Sequence, residues 1–275
     1  MSQTLVNIAP LKCRIDYSKR GLSLGSCFAY EVASRLNKMR LPQITVNPFG
    51  MLYNPISISG AIERLASGVH FSESDLCFDG ELWHSFAHHH SFSSANPKQM
   101  LEAINTTFDE GVEALQKADY VIITFATTWI FRHIGSNRIV ANCHTFPETD
   151  FVQERLNVKQ ITETFERIFN AILAGKQVIL TINPIMDLQN GLIENSLCKA
   201  ILRVAIAELC EKCPNVEYFP AYEIMVDELR DYSFYKSDMI HPNLQAVDHI
   251  VRRFVDVAMD TEIREVAMIL KNFPL

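Results

Sequence analysis

The chain has 275 residues, 48% hydrophobic and 21% charged, enough material for one large domain with a full core. With 32 acidic against 25 basic residues its net charge is −7, and no basic run occurs, which argues against a nucleic-acid surface. No stretch approaches the roughly 20 apolar residues of a membrane span, and Met1 to Arg20 holds no signal-type segment, so a soluble, cytoplasmic protein is expected.

In chain order, the apolar run Gly21–Leu24 predicts a strand, and the small-residue turn Gly25-Ser26-Cys27-Phe28-Ala29 leads into a helix-like segment, Tyr30 to Met39. Further strands are predicted at Gln43–Val46, Tyr120–Phe125, Gln177–Ile182 and Val216–Phe219. Helical spacing marks Lys98–Lys117, Lys159–Ala174 and Leu192–Cys210. The runs at 120–125 and 177–182 are almost wholly apolar, as in strands covered on both faces. Strands alternating with helices predict an α/β domain, a central parallel sheet between two helical layers, spanning residues 1–275 without an internal linker. Glu81 to Ala95 and Ile130 to Phe151 break the alternation and are expected to decorate the carboxyl ends of strands, where open sheets bind ligands. The seven cysteines, an odd number, read as reduced thiols, and the Cys210 and Cys213 pair as structural.

The chemistry concentrates at the two ends. A turn between a strand and a helix lifts a nucleophile out of a sheet, and the helix N-terminus favours negative charge there. Cys27 and Ser26 are both candidates. Near the other end, Ser237-Asp238-Met239-Ile240-His241-Pro242 places a carboxylate three residues before an imidazole, the spacing of an orienter and a general base. No glycine-rich phosphate loop is present and no cofactor is expected.

Gly-Ser-Cys-Phe-Ala resembles the signature of the GSCFA family, which is grouped with the SGNH, or GDSL-like, hydrolases. Further matching blocks follow in order. They are Asn47-Pro48-Phe49-Gly50 with Tyr53-Asn54-Pro55, Trp83-His84-Ser85-Phe86, Ala141-Asn142-Cys143-His144, Thr181 to Pro184, Asn195 to Lys199, and Leu229 through Pro242. The resemblance implies a three-layer α/β/α sandwich of flavodoxin-like strand order 2-1-3-4-5. It also implies acyl-ester hydrolysis or transfer, with a small acyl group on a carbohydrate-like alcohol as the analogous substrate. Aligned on Gly-Asp-Ser, the turn makes Cys27 the nucleophile, with Ser26 one residue away as the alternative. Asp238 and His241 then take the Asp-x-x-His roles.

Backbone N–H groups at Cys27 and Gly50 are the implied oxyanion donors. The asparagine that SGNH enzymes carry after the third strand is absent, and Thr127, Thr128 or Asn142 would replace it. Where the family has Ser-Pro-Val-Arg-His this chain has Asn183-Pro184-Ile185-Met186-Asp187, which suggests a divergent specificity. His84, His88, His89 and His90 read as lid or substrate-binding groups, as structural groups, or as metal ligands without an accompanying carboxylate. Trp129 and His144 are candidate site walls. Asn195 and Lys199, one helical turn apart, read as a solvated face or a substrate-side pair. Two other readings follow: a non-catalytic small-molecule-binding protein on the same fold, and a metal-dependent enzyme using the histidine cluster.

Overall fold

The computed structural model describes residues 4–38 and 44–270. Its strands are β1 (Gly21–Gly25), β2 (Ile44–Val46), β3 (Cys77–Phe78), β4 (Trp83–His84), β5 (Tyr120–Phe125), β6 (Trp129–His133), β7 (Arg138–Val140), β8 (Phe151–Arg155), β9 (Gln177–Ile182) and β10 (Val216–Phe219). The helices are α1 (Cys27–Lys38), α2 (Pro55–Ser67), α3 (Pro97–Lys117), α4 (Val158–Ala171), α5 (Gly191–Lys212), the single turn α6 (Ala221–Glu223), α7 (Leu244–Ala258) and α8 (Thr261–Leu270). Met39 and Gln43, the expected ends of a helix and a strand, lie outside the described residues.

Local chemistry explains several boundaries. Asn54 accepts the Ser57 N–H at 2.8 Å ahead of Pro55, and Asn96 does the same for Lys98 and Gln99 ahead of Pro97. Such caps satisfy orphan helix donors and contribute about 1 kcal/mol each. Asn157 and Gln160 form a reciprocal capping box at α4.

Five strands form one parallel sheet in the order β10-β9-β5-β1-β2. Counting only these strands along the chain, the order is 2-1-3-4-5, as the resemblance implied. Leu22, Leu24, Val121, Ile123, Phe125, Val178, Leu180 and Ile182 enter one core with residues of α2, α3, α4 and α5. The alternate residues Tyr120, Ile122 and Ile179 enter a second core with α1 and α7. Strand alternation thus sends successive side chains into two separate cores, so no position on β5 is left for a polar, solvent-facing residue. The result is a three-layer α/β/α sandwich.

The register carries Gly25 level with Thr124, and Thr124 level with Thr181. The carboxyl ends of β1, β5 and β9 therefore form one edge. The loop after β2 and the antiparallel sheet β7-β6-β8, which follows β5 directly, extend from this side.

Candidate active site

Gly25 ends β1 with φ +144, and a Cβ there would lie 2.4 Å from the Thr124 carbonyl oxygen, so glycine is required on both counts. Its carbonyl accepts the Leu52 N–H at 2.9 Å and its N–H donates to Asn47 Oδ1 at 2.8 Å. The turn before α1 is thereby clamped to the loop after β2. Ser26 caps α1 through its carbonyl, which accepts the Ala29 N–H at 2.9 Å. Its side chain is fully buried and its hydroxyl has no partner among the described residues. Cys27, the first residue of α1, is partly exposed. Of the two candidate nucleophiles, Cys27 is the residue that is not fully buried.

The helix N-terminus favours negative charge at Cys27, yet its thiol pKa is raised. Desolvation pushes it up, and Glu31 adds to the rise; the N–H groups of Phe28 and Cys27 and the Lys236 ammonium pull the other way and lose. The Cys27 sulfur is held as a neutral thiol.

Asp238 and His241 sit on a tight turn ahead of α7. Tyr235 bridges Pro242, the Lys236 N–H donates to the His241 carbonyl at 2.7 Å, and Met239 takes a left-handed φ of +58. One Asp238 oxygen accepts the N–H groups of Ile240 and His241 at 2.9 Å each, and the other accepts from His241 Nδ1 at 2.8 Å. These bonds hold the carboxylate down, to about 2. With Nδ1 engaged, Nε2 is the ring position left for proton transfer. Among the described residues no hydrogen bond joins His241 to Cys27 or Ser26. The same turn does bring Lys236 close enough to act on the thiol, and its Ile240 carbonyl accepts the Met186 N–H at 3.4 Å.

Gly50 is placed differently from expectation. Its N–H donates to the Asn47 carbonyl at 2.7 Å in a turn with φ +73, so it is committed inside the loop rather than free for an oxyanion. A Cβ on Gly50 would meet His89 Cβ at 2.4 Å, which explains the glycine. Thr128 is fully buried and its hydroxyl donates to Cys198 Sγ at 2.8 Å. The Thr127 N–H donates to the Tyr53 carbonyl at 3.1 Å, and its hydroxyl accepts from the Trp129 N–H at 3.2 Å. Asn142 Oδ1 accepts the His144 N–H at 2.8 Å within its own turn. The Thr128 hydroxyl proton is thus spent on a distant cysteine, whereas Thr127 and Asn142 are engaged as acceptors within their own loops.

The histidine-rich segment holds itself together. Buried His84 bonds Ser93 at 2.7 Å and Asp79 at 2.9 Å, and His88 bonds Ser85 at 2.9 Å while stacking on Phe49. Burial drives His88 down to about 3. His89 is buried and bonds Ser91, whereas His90 is exposed. His144 Nε2 donates to the Ser85 carbonyl at 2.8 Å, so it ties the two irregular segments to one another, as does the Ala141 N–H to the Phe86 carbonyl at 2.7 Å. Among the described residues no three His, Cys, Asp or Glu side chains converge as a metal-ligand set.

The two segments do line a common cavity of about 790 Å³, but they share it with α2. Cys27 is not among the residues of its wall. Trp129 opens β6 with the Arg155 guanidinium over its ring at 5.6 Å.

Asn195 and Lys199 face inward on α5 and are buried, not solvated. Asn195 Oδ1 accepts the Asp187 N–H at 2.9 Å and so pins the loop after β9 that touches Ile240. Lys199 Nζ donates to the carbonyls of Ala126 at 2.8 Å and Asn183 at 2.9 Å, just past the ends of β5 and β9. Asn47, in the sequence only part of a matching block, shapes the candidate nucleophile turn. It adopts φ +45, its Oδ1 holds Gly25, and its buried Nδ2 has no partner among the described residues. Its signal was legible: an asparagine, the side chain most tolerant of left-handed φ, between a strand and a proline.

No helix among the described residues is long and apolar enough to cross a membrane. No curated protein matches the chain. The GSCFA family model matches residues 20–254, which takes in the turn before α1, the loop after β2, both irregular segments, α5 and the Asp238–His241 turn. The chain therefore belongs to the GSCFA family.

Proposed function

We propose that this protein is an SGNH-like acyl-ester hydrolase or acyltransferase of the cytoplasm that uses Cys27 as its nucleophile on a small acyl group, borne by a carbohydrate-like alcohol. The observation that carries the reading is the Asp238–His241 pair. One carboxylate holds both the backbone and Nδ1 of the histidine, on a turn whose Lys236 acts on the Cys27 thiol. In the proposed reaction, His241 Nε2 removes the thiol proton as sulfur attacks the carbonyl carbon, and the carbonyl π pair moves onto oxygen. The intermediate collapses, His241 returns the proton to the departing alcohol, and a thioester remains on Cys27. Water or an acceptor alcohol then attacks the thioester, with His241 again as base; the C–S bond breaks and the Cys27 sulfur takes the proton back from His241. A neutral resting thiol suits this sequence, because proton removal is coupled to attack.

Turnover of p-nitrophenyl acetate tests it. Wild type should release nitrophenol with a burst, Cys27→Ala should abolish the burst, and Ser26→Ala should retain it. Equal turnover by wild type and Cys27→Ala would remove Cys27 from the role. A second reading, a small-molecule-binding protein, is favoured by the lack, among the described residues, of a hydrogen bond between Cys27 and His241. No turnover across several acyl donors would support it.

A further inference from the structure

Lys199 carries a charge in a place where charge is costly. Its side chain is 3% exposed and, among the described residues, forms no ion pair with a carboxylate. An ammonium has three N–H donors. Two of them go to Ala126 and Asn183, and the Tyr222 ring lies 5.8 Å away. Ala126 sits two residues beyond Thr124, the register partner of Gly25, so the ammonium is fixed at the strand end beside the nucleophile turn. That is also the end of the third core strand, after which the expected asparagine is missing. The Thr128 hydroxyl proton is spent on Cys198, Thr127 and Asn142 turn their side-chain oxygens to N–H groups of their own loops as acceptors, and the Gly50 N–H is spent in its own turn.

We propose that Lys199 directs its third N–H to the oxyanion formed when Cys27 attacks an acyl carbonyl, replacing the absent asparagine with a charged donor; this rests on the acyl-transfer reading. A preorganised cation shielded from water stabilises developing negative charge strongly, and here it needs no rearrangement because two carbonyls already hold it. The substrate class that follows is a neutral acyl ester whose carbonyl oxygen points toward the ends of β5 and β9.

The charge also makes the inference separable from a structural role. Burial lowers Lys199 to about 8, against the opposing pull of Asp187, Cys198 and Cys27, the titratable groups that act on it; the Tyr222 phenol also faces it. The ammonium is then lost as the pH rises through 8.

Hydrolysis of p-nitrophenyl acetate by wild type, Cys27→Ala, Lys199→Met and Lys199→Arg tests the inference, with each variant checked for folding by circular dichroism. Lys199→Met should lower kcat by about 10²–10³-fold with KM little changed, the cost of one oxyanion donor. Wild-type kcat should fall above pH 8, and Lys199→Arg should move that fall to higher pH. If Lys199→Met does not fold, the pH profiles of wild type and Lys199→Arg decide. A Cys27-dependent wild type with an undiminished Lys199→Met, or an alkaline limb identical in Lys199→Arg, overturns the role of Lys199 alone. A wild type without turnover overturns the acyl-transfer reading and this inference together.

Discussion

A single carboxylate, Asp238, binds both the N–H and the ring Nδ1 of His241, at 2.9 and 2.8 Å. The imidazole is therefore oriented by the same group that shapes its backbone turn. An amide at position 238 would keep an acceptor but offer an N–H₂ as well, which can select the wrong tautomer.

Asp238→Asn should accordingly leave the fold intact and cut ester turnover by roughly 10²–10⁴-fold, the range in which a misoriented general base falls. Steady-state kinetics with p-nitrophenyl acetate, beside a thermal melt, make the measurement. Unchanged kcat in the folded variant would mean that His241 needs no orienter.

Cys27 should label slowly with iodoacetamide at neutral pH and faster as the pH rises past 9, because desolvation raises its thiol pKa. Cys13 is pushed to about 12, and Cys77, Cys143 and Cys210 to about 11, so these should trail it. Mass spectrometry of labelled peptides across pH 6–10 reads the order. Complete labelling of Cys27 within seconds at pH 6 would show a resting thiolate instead.

Asn47→Ala should destabilise the protein by about 1–3 kcal/mol, since it strips the acceptor from the buried Gly25 N–H and leaves alanine at a left-handed φ. Urea unfolding measures this. Asn47→Gly should lose less than Asn47→Ala, because glycine relieves the backbone although it restores no acceptor.

His88 makes stability fall in acid earlier than carboxylates alone would. Its folded pKa of about 3 lies below the unfolded value of about 6.5. The unfolded chain therefore takes up the proton first, and stability declines as the pH drops from about 6.5 toward 3, at up to about 1.4 kcal/mol per unit. His144, held near 4, acts in the same direction. Thermal melts at pH 7 and pH 5 should show a smaller drop for His88→Phe than for wild type, and equal drops would exclude His88 as the cause.

Much of this molecule was legible before its structure. Apolar runs at 120–125 and 177–182 marked strands covered on both faces, and they are the central strands of the sheet. Helical spacing at Lys98–Lys117 and Lys159–Ala174 marked α3 and α4, which Asn96 and Asn157 cap by local hydrogen bonding. Gly25 followed by Ser26 and Cys27 marked the turn, because no other residue tolerates φ +144 against the Thr124 carbonyl. Asp238 and His241 found one another because three residues of chain suffice to bring them into contact.

What the sequence could not decide are contacts between segments far apart in the chain, which depend on packing rather than on spacing. Lys199 reads from the sequence as either a solvated face or a substrate-side pair, because i and i+4 spacing says only that two residues share a helix face; the placement of α5 against β5 and β9 turns that face inward. Thr128 looked available until Cys198, 70 residues away, took its hydroxyl proton. The Cys27 pKa followed the same rule: the helix N-terminus is a local, readable influence, whereas desolvation is the sum of everything packed around the sulfur, and here the sum is larger.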